Sequence, residues 1–134
     1  MNITCKAENR TRVLIVSLPG MMQNVLMDTF TNRNDVEVVG VANGGLSAVG
    51  MIRKQRPELV VIDSTLPDIE MSSLILWVKE EHQPICSLVL VETTQQEKKA
   101  KNAGADITLR SYSLPESLDK VLDNYRTNQS KTSE

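Results

Sequence analysis

Short apolar runs rich in β-branched residues alternate with longer stretches whose apolar residues recur every three or four positions, and the alternation repeats along the whole chain. The short runs predict strands at about 12–16, 36–41, 59–62, 88–91 and 107–109. The longer stretches predict helices at about 21–32, 46–55, 72–83, 95–103 and 115–126. Four of the strand segments are too uniformly apolar for a sheet with one wet face and suit central parallel strands covered on both sides. Met22, Val25, Leu26, Thr29 and Phe30 predict one buried stripe on the first helix. Leu118, Val121, Leu122 and Tyr125 do the same for the last, with Ser113 as cap and Pro115 in the first turn. Gly104 stands where a left-handed residue would close the fourth helix. Strict alternation of strand and helix predicts an α/β fold, a doubly wound five-stranded parallel sheet. Such sheets carry their sites at the carboxyl ends of the strands, near the reversal of strand order.

The 134 residues suffice for one domain, expected at 12–126 between a polar leader (1–11) and a polar tail (127–134), both flexible. A net charge of −2 gives no global attraction to nucleic acid or to an anionic membrane, so neither is expected as a direct partner. The apolar runs are far below membrane-spanning length, and the first residues lack the apolar core of a signal peptide, so a cytoplasmic protein is expected. Cys5 and Cys86 have no metal-ligand or redox spacing and read as unrelated reduced thiols. His82 is the sole histidine, which excludes a multi-histidine metal centre. Lys98, Lys99 and Lys101 read as a solvated helix face, and Trp77, off the Leu74, Ile75, Val78 stripe, as partly covered.

Chemistry is sought at the strand ends: Ser17 and Leu18, Asp63, Glu92 and Thr93, Arg110 and Ser111. Asp63 directly follows Leu59-Val60-Val61-Ile62, so a strand holds its carboxylate rigidly. A carboxylate held so can be a nucleophile toward phosphorus or a plain loop acceptor, and spacing alone leaves both open.

Four segments carry a resemblance. Arg-Val-Leu-Ile-Val (12–16), Asp-Val-Glu-Val-Val-Gly-Val-Ala (35–42), Arg-Pro-Glu-Leu-Val-Val-Ile-Asp-Ser-Thr-Leu-Pro (56–67) and Ala-Gly-Ala-Asp (103–106) resemble, in order and separation, the CheY-like receiver domain of response regulators. The match is nearest to receivers of the NarL/FixJ, LuxR-type subfamily and runs from about residue 12 to 126. It implies the (βα)5 flavodoxin-like fold and a role in two-component signal transduction. It also implies that Asp63 matches the aspartate that accepts a phosphoryl group from a histidine kinase.

The departures shape the functional expectation. Where the family has two acids that complete a magnesium site, this chain has Ser17 and Leu18, so magnesium binding is expected to be weak or absent and no cofactor is expected. The family's lysine position is Ser111, its Thr/Ser switch position is Glu92 or Thr93, and its aromatic switch position is Thr108. Arg110 adjoins Ser111 but should point to the opposite face of the strand. No catalytic residue is assigned and no enzymatic activity is expected. The expectation is an atypical receiver, or pseudo-receiver, with impaired phosphorylation at Asp63, acting through contact with a histidine kinase or output protein, or as a homodimer. The alternative is a working single-domain phosphoacceptor in a histidine-aspartate phosphorelay. An enzyme or flavin protein on the same architecture is disfavoured, because Ser17-Leu18-Pro19-Gly20 holds one glycine and the second acid of aspartate-dependent hydrolases is Thr65.

Overall fold

A computed structural model describes residues 10–81, 84–114 and 116–123. Strands β1 (Thr11–Val16), β2 (Val36–Ala42), β3 (Leu59–Ile62), β4 (Cys86–Val91) and β5 (Ile107–Arg110) form one parallel sheet in the order β2-β1-β3-β4-β5. Helices α1 (Met21–Thr31), α2 (Gly45–Gln55), α3 (Asp68–Lys79) and α4 (Thr94–Ala103) connect them, and α5 (116–123) follows a 3-10 turn at Ser111–Ser113. The expected doubly wound α/β sheet is therefore the observed one. Residues 1–9, the segment beyond 123, Cys5, His82, Pro115 and Tyr125 lie outside the described residues.

Alternation along the strands divides the core into two layers. Leu14, Val16, Val60, Ile62, Val89 and Val91 face α2, α3 and α4. Val13, Ile15, Leu59, Val61, Leu88 and Leu90 face α1 and α5, meeting Leu26, Phe30, Leu118 and Leu122. Both faces of β1, β3 and β4 are covered, which is why these strands read as unbroken apolar runs. β2 and β5 are the edges and are only partly buried, so three strands, not four, have the fully covered character.

Element boundaries depart from expectation in one place beyond a residue or two. The third helix spans Asp68–Lys79, not 72–83. Pro67 supplies the entry angle, and Asp68 and Glu70 place negative charge in the first turn, where the helix dipole favours it. Met71, Leu74, Ile75 and Val78 then form its buried face. β4 also starts earlier than expected, because Cys86 and Ser87 pair with Leu59 and Val60. On α1, Val25 is 44% exposed instead of buried. The buried face centres on Leu26 and Phe30, and at about 100° per residue Val25 falls on its rim.

Polar groups fix the connections. Asp106 Oδ2 accepts from Ser87 N at 2.9 Å while Asp106 N donates to Ser87 Oγ at 3.0 Å, a reciprocal clasp between the start of β4 and the entry to β5. Arg33 forks onto Asp35 and also reaches Asp119 on α5, and this pairing, Asp35 first, holds the guanidinium firmly in its charged form. Gly104 closes α4 at φ 110°, its N–H donating to Lys101 O while Ala105 N donates to Ala100 O.

Two outcomes follow from this packing. Gly104→Ala places a Cβ 3.3 Å from the Lys79 side chain at a backbone angle L-residues avoid, and urea denaturation should show a loss of about 1–2 kcal/mol. Burial, with a smaller contribution from the Asp106 charge, pushes the Cys86 thiol up from 9.0 to about 12. The unfolded chain then loses this proton above pH 9 while the folded chain keeps it, so the stabilisation present below pH 9 is lost as pH rises toward 12. Between pH 9 and 11 the urea midpoint of the wild type should fall more steeply than that of Cys86→Ala. Parallel slopes would show that the thiol ionises alike in both states.

Candidate functional site

The register of β1 against β3 builds the site. Val16 stands opposite Ile62, so the residues that follow, Ser17 and Asp63, emerge side by side at the carboxyl edge of the sheet's centre. Backbone bonds continue the ladder past the strands: Ser17 N donates to Ala42 O at 3.0 Å, and Asp63 N to Val16 O at 3.0 Å. Both side chains are buried, Asp63 at 1% exposure.

Asp63 Oδ2 accepts two hydroxyl hydrogen bonds, from Ser17 Oγ at 3.0 Å and from Thr65 Oγ1 at 2.8 Å. Thr65 Oγ1 accepts in turn from Leu18 N at 3.2 Å, so the turn after β1 is tied to the turn after β3. Gln23 Nε2 braces the same corner, donating to Ser17 O and to Asn43 Oδ1, each at 2.8 Å. Asp63 Oδ1 is buried without a hydrogen-bond partner among the described residues, and so is Ser111 Oγ. No arginine or lysine among the described residues forms an ion pair with Asp63.

The other sequence-selected residues fall on the same edge in different settings. Leu18 is partly buried and packs against the core cluster under α2 and α3. Glu92 is exposed directly after β4, its backbone N–H donating to Gln96 Oε1 at 2.8 Å. Thr93 is exposed and caps α4, its Oγ1 accepting from Gln96 N at 3.0 Å. Thr-x-x-Gln ahead of a helix is a capping signature, and reading it would have assigned Thr93 to the cap. Thr108 Oγ1 donates to Glu97 Oε2 at 3.4 Å. Arg110 extends toward α4, within 3.1 Å of Thr94 Oγ1 and 3.5 Å of Glu97 Oε1. Glu97 also meets Lys101 at 3.3 Å, whose hydrogen bond and charge hold its carboxyl below the usual range. The structure thus brings Ser17 and Asp63 into contact and leaves Glu92 and Thr93 in the capping turn of α4. The residue missed from sequence is Thr65, the principal neighbour of Asp63, although a threonine two residues after an aspartate in a turn is a familiar local partner.

The fold and the matched sequence have known counterparts, although no family model matches the chain. The structure superimposes on the signal receiver domain of NarL from Mycobacterium tuberculosis with a TM-score of 0.77 at 20% identity, covering 88% of this chain and 98% of that one. The response regulator domain of CheB from Thermotoga maritima gives a TM-score of 0.65 at 24% identity, covering 88% and 95%. In sequence the chain is 30% identical over 103 residues to a protein-glutamate methylesterase/protein-glutamine glutaminase of Methanospirillum hungatei, covering 77% of this chain but 28% of that protein. It is 31% identical over 94 residues to the transcriptional regulatory protein YhcZ of Bacillus subtilis, covering 69% and 44%. The class is thus a flavodoxin-like parallel α/β domain with an aspartate at the tip of its central strand. Within that class the chain has the fold of the receiver domains of response regulators, and its sequence is similar to one segment of longer curated proteins. It spans only part of the length of the curated relatives that it matches. No helix among the described residues is long and apolar enough to cross a membrane.

The contact between Ser17 and Asp63 is testable by a double-mutant cycle. Ser17→Ala should cost about 1–3 kcal/mol, because a buried carboxylate loses a donor. In an Asp63→Asn background the same change should cost clearly less, since the acceptor is no longer charged. Equal costs in both backgrounds would mean that Ser17 is stabilised by packing alone.

Proposed function

We propose that this receiver acts chiefly as a protein-protein interaction module whose signalling does not require phosphorylation of Asp63. The observation that carries the reading is the occupation of Asp63 Oδ2 by two neutral hydroxyls, from Ser17 and Thr65. Magnesium needs several hard oxygen ligands in octahedral geometry, usually including carboxylates. The corner supplies Asp63, two hydroxyls already turned onto it, and Leu18 packed against the core, so its residues do not fit the ion. Among the described residues no cluster of three or more His, Cys, Asp or Glu side chains could hold a metal.

Phosphoryl transfer rests on positioning and on cations that neutralise developing negative charge. With Ser111 at the lysine position and Ser17 and Leu18 at the acid positions, each missing stabiliser costs about two orders of magnitude in rate, by comparison with the loss of one oxyanion donor. A phosphoryl group here would add nearly two negative charges without compensating cations. A switch needs a ligand that binds one state better than the other, and those differential contacts are the ones missing. On this reading the domain has no catalytic activity of its own, works in the cytoplasm and meets a kinase, an output protein or a second copy through its surface.

A second reading, the working phosphoacceptor of a relay, rests on the other carboxylate oxygen. Asp63 Oδ1 has no hydrogen-bond partner among the described residues, so it could attack phosphorus if a partner protein opened access to it and supplied the cations.

The two readings separate experimentally. With acetyl phosphate and magnesium, intact mass should show no stable phosphorylated species for the wild type. NMR titration should show magnesium shifts near Asp63 only in the millimolar range or weaker, with tighter binding for Ser17→Asp combined with Leu18→Asp. Asp63→Asn should leave partner binding and cellular output nearly unchanged. If a cognate histidine kinase labels the wild type and Asp63→Asn is as silent as a deletion, the relay reading replaces this one.

A further inference from the structure

A largely apolar recess lies away from Asp63, between α2 and α3. It has a volume of about 520 Å³. Its α3 wall is Glu70, Ser73, Leu74 and Trp77, a stripe at i, i+3, i+4 and i+7. Its α2 wall is Gly45, Leu46 and Val49. The seven residue steps from Glu70 to Trp77 give it a length of about 10 Å, two helical turns.

Its ends carry opposite charges. At one end Glu70 Oε2 accepts from Gly45 N at 2.6 Å, at the N-terminus of α2, and the carboxylate retains lone pairs for a second donor. At the other end the Arg53 guanidinium lies over the Trp77 ring, 5.5 Å from its centroid. The apolar surface also continues outside the recess. Leu46 is 91% exposed, Ile69 82% and Leu76 49%. At about 100° per residue Ile69 and Leu76 flank Ser73 on the outer side of the α3 stripe, so recess and ridge form one face. A small molecule filling the recess would leave that ridge and the outer side of Leu46 in water, whereas a helix laid along it covers both.

We propose that the α2–α3 groove is the docking site for an amphipathic helix of a partner protein. That helix presents apolar residues at i, i+3 or i+4, and i+7 to Leu46, Val49 and Trp77. It places a basic residue against Glu70 and an acidic residue against Arg53, about two turns apart. This deepens the interaction-module reading, on which it rests, by giving the module a surface and the chemistry of its partner. The groove lies on the side of the sheet opposite α1 and α5.

Selection from a display library of randomised helical peptides against the full chain tests the proposal. Enriched peptides should carry the apolar i, i+3/i+4, i+7 pattern with a basic residue at one end, and binding should shift the emission of Trp77, the only tryptophan. Leu46→Glu, at a position too exposed to affect folding, should weaken the selected peptides at least tenfold, and Glu70→Lys should reverse the preference to an acidic residue at that end. Failure to enrich helical patterns, or equal binding to Leu46→Glu, overturns the groove. So does a wild-type dimer that Leu46→Glu dissolves, because the occupant is then a second copy. Asp63→Asn serves as the separate arm. If it alone abolishes binding of the selected peptides, independence from phosphorylation fails while the groove stands; if Leu46→Glu alone leaves binding intact, the groove fails while that independence stands.

Discussion

The pairing of β1 with β3 is the constraint on which the rest of the molecule depends. Both strands are buried on both faces, and a one-residue slip would exchange their two sets of side chains between the α2–α4 layer and the α1–α5 layer. The register also sets the chemistry. With Val16 opposite Ile62, the first residues past the ladder are Ser17 and Asp63, and only in that register does a hydroxyl from one strand end meet a carboxylate from the other. The site is therefore a by-product of core packing, held to the precision of a central parallel sheet.

An aspartate buried to 1% exposure with no ion pair among the described residues is expensive to hold. Two hydroxyl donors on Oδ2 offset part of that cost, and Leu18 N, by donating to Thr65 Oγ1, fixes one of those donors. Nothing among the described residues offsets the cost at Oδ1. The two oxygens thus have different surroundings: Oδ2 ties two turns together, and Oδ1 is buried without a hydrogen-bond partner among the described residues. That division is what separates the two functional readings, and it is a matter of one atom's partners.

Much of the fold was legible in the sequence because its signal is periodic. Alternation between apolar strand runs and helical stripes placed eight segments within a residue or two, the ends expected for the last helix lie outside the described residues, and α3 was placed late for a physical reason. Its first turn, Asp68-Ile69-Glu70, carries an exposed isoleucine and no buried residue, so the apolar stripe begins only at Met71. Asp63 was legible because a strand pointed at it. Ser17 was placed beside it by the resemblance, but the bonds that brace the corner, such as Thr65 onto Asp63 and Gln23 onto Asn43, were not read. The α2–α3 groove was invisible for a related reason. Leu46 and Ile69 look like core residues in any one-dimensional reading, and only the packed helices show them facing outward.

The polar network between α4 and β5 looks at first like a lock on the edge strand. Glu97 gathers Thr108, Arg110 and Lys101, but these residues are partly or largely exposed, and solvent screens ion pairs of this kind so that they contribute little. The Thr108 bond, at 3.4 Å, is at the long end of the range and adds little. Forces of this size orient side chains; they do not hold a strand against a phosphoryl group that has two charges to place. If the domain fails to switch, the cause is therefore at the other end of the transmission. On the proposed reading it lies at Ser17, Leu18 and Ser111, where hydroxyls and a leucine stand in place of acids and lysine.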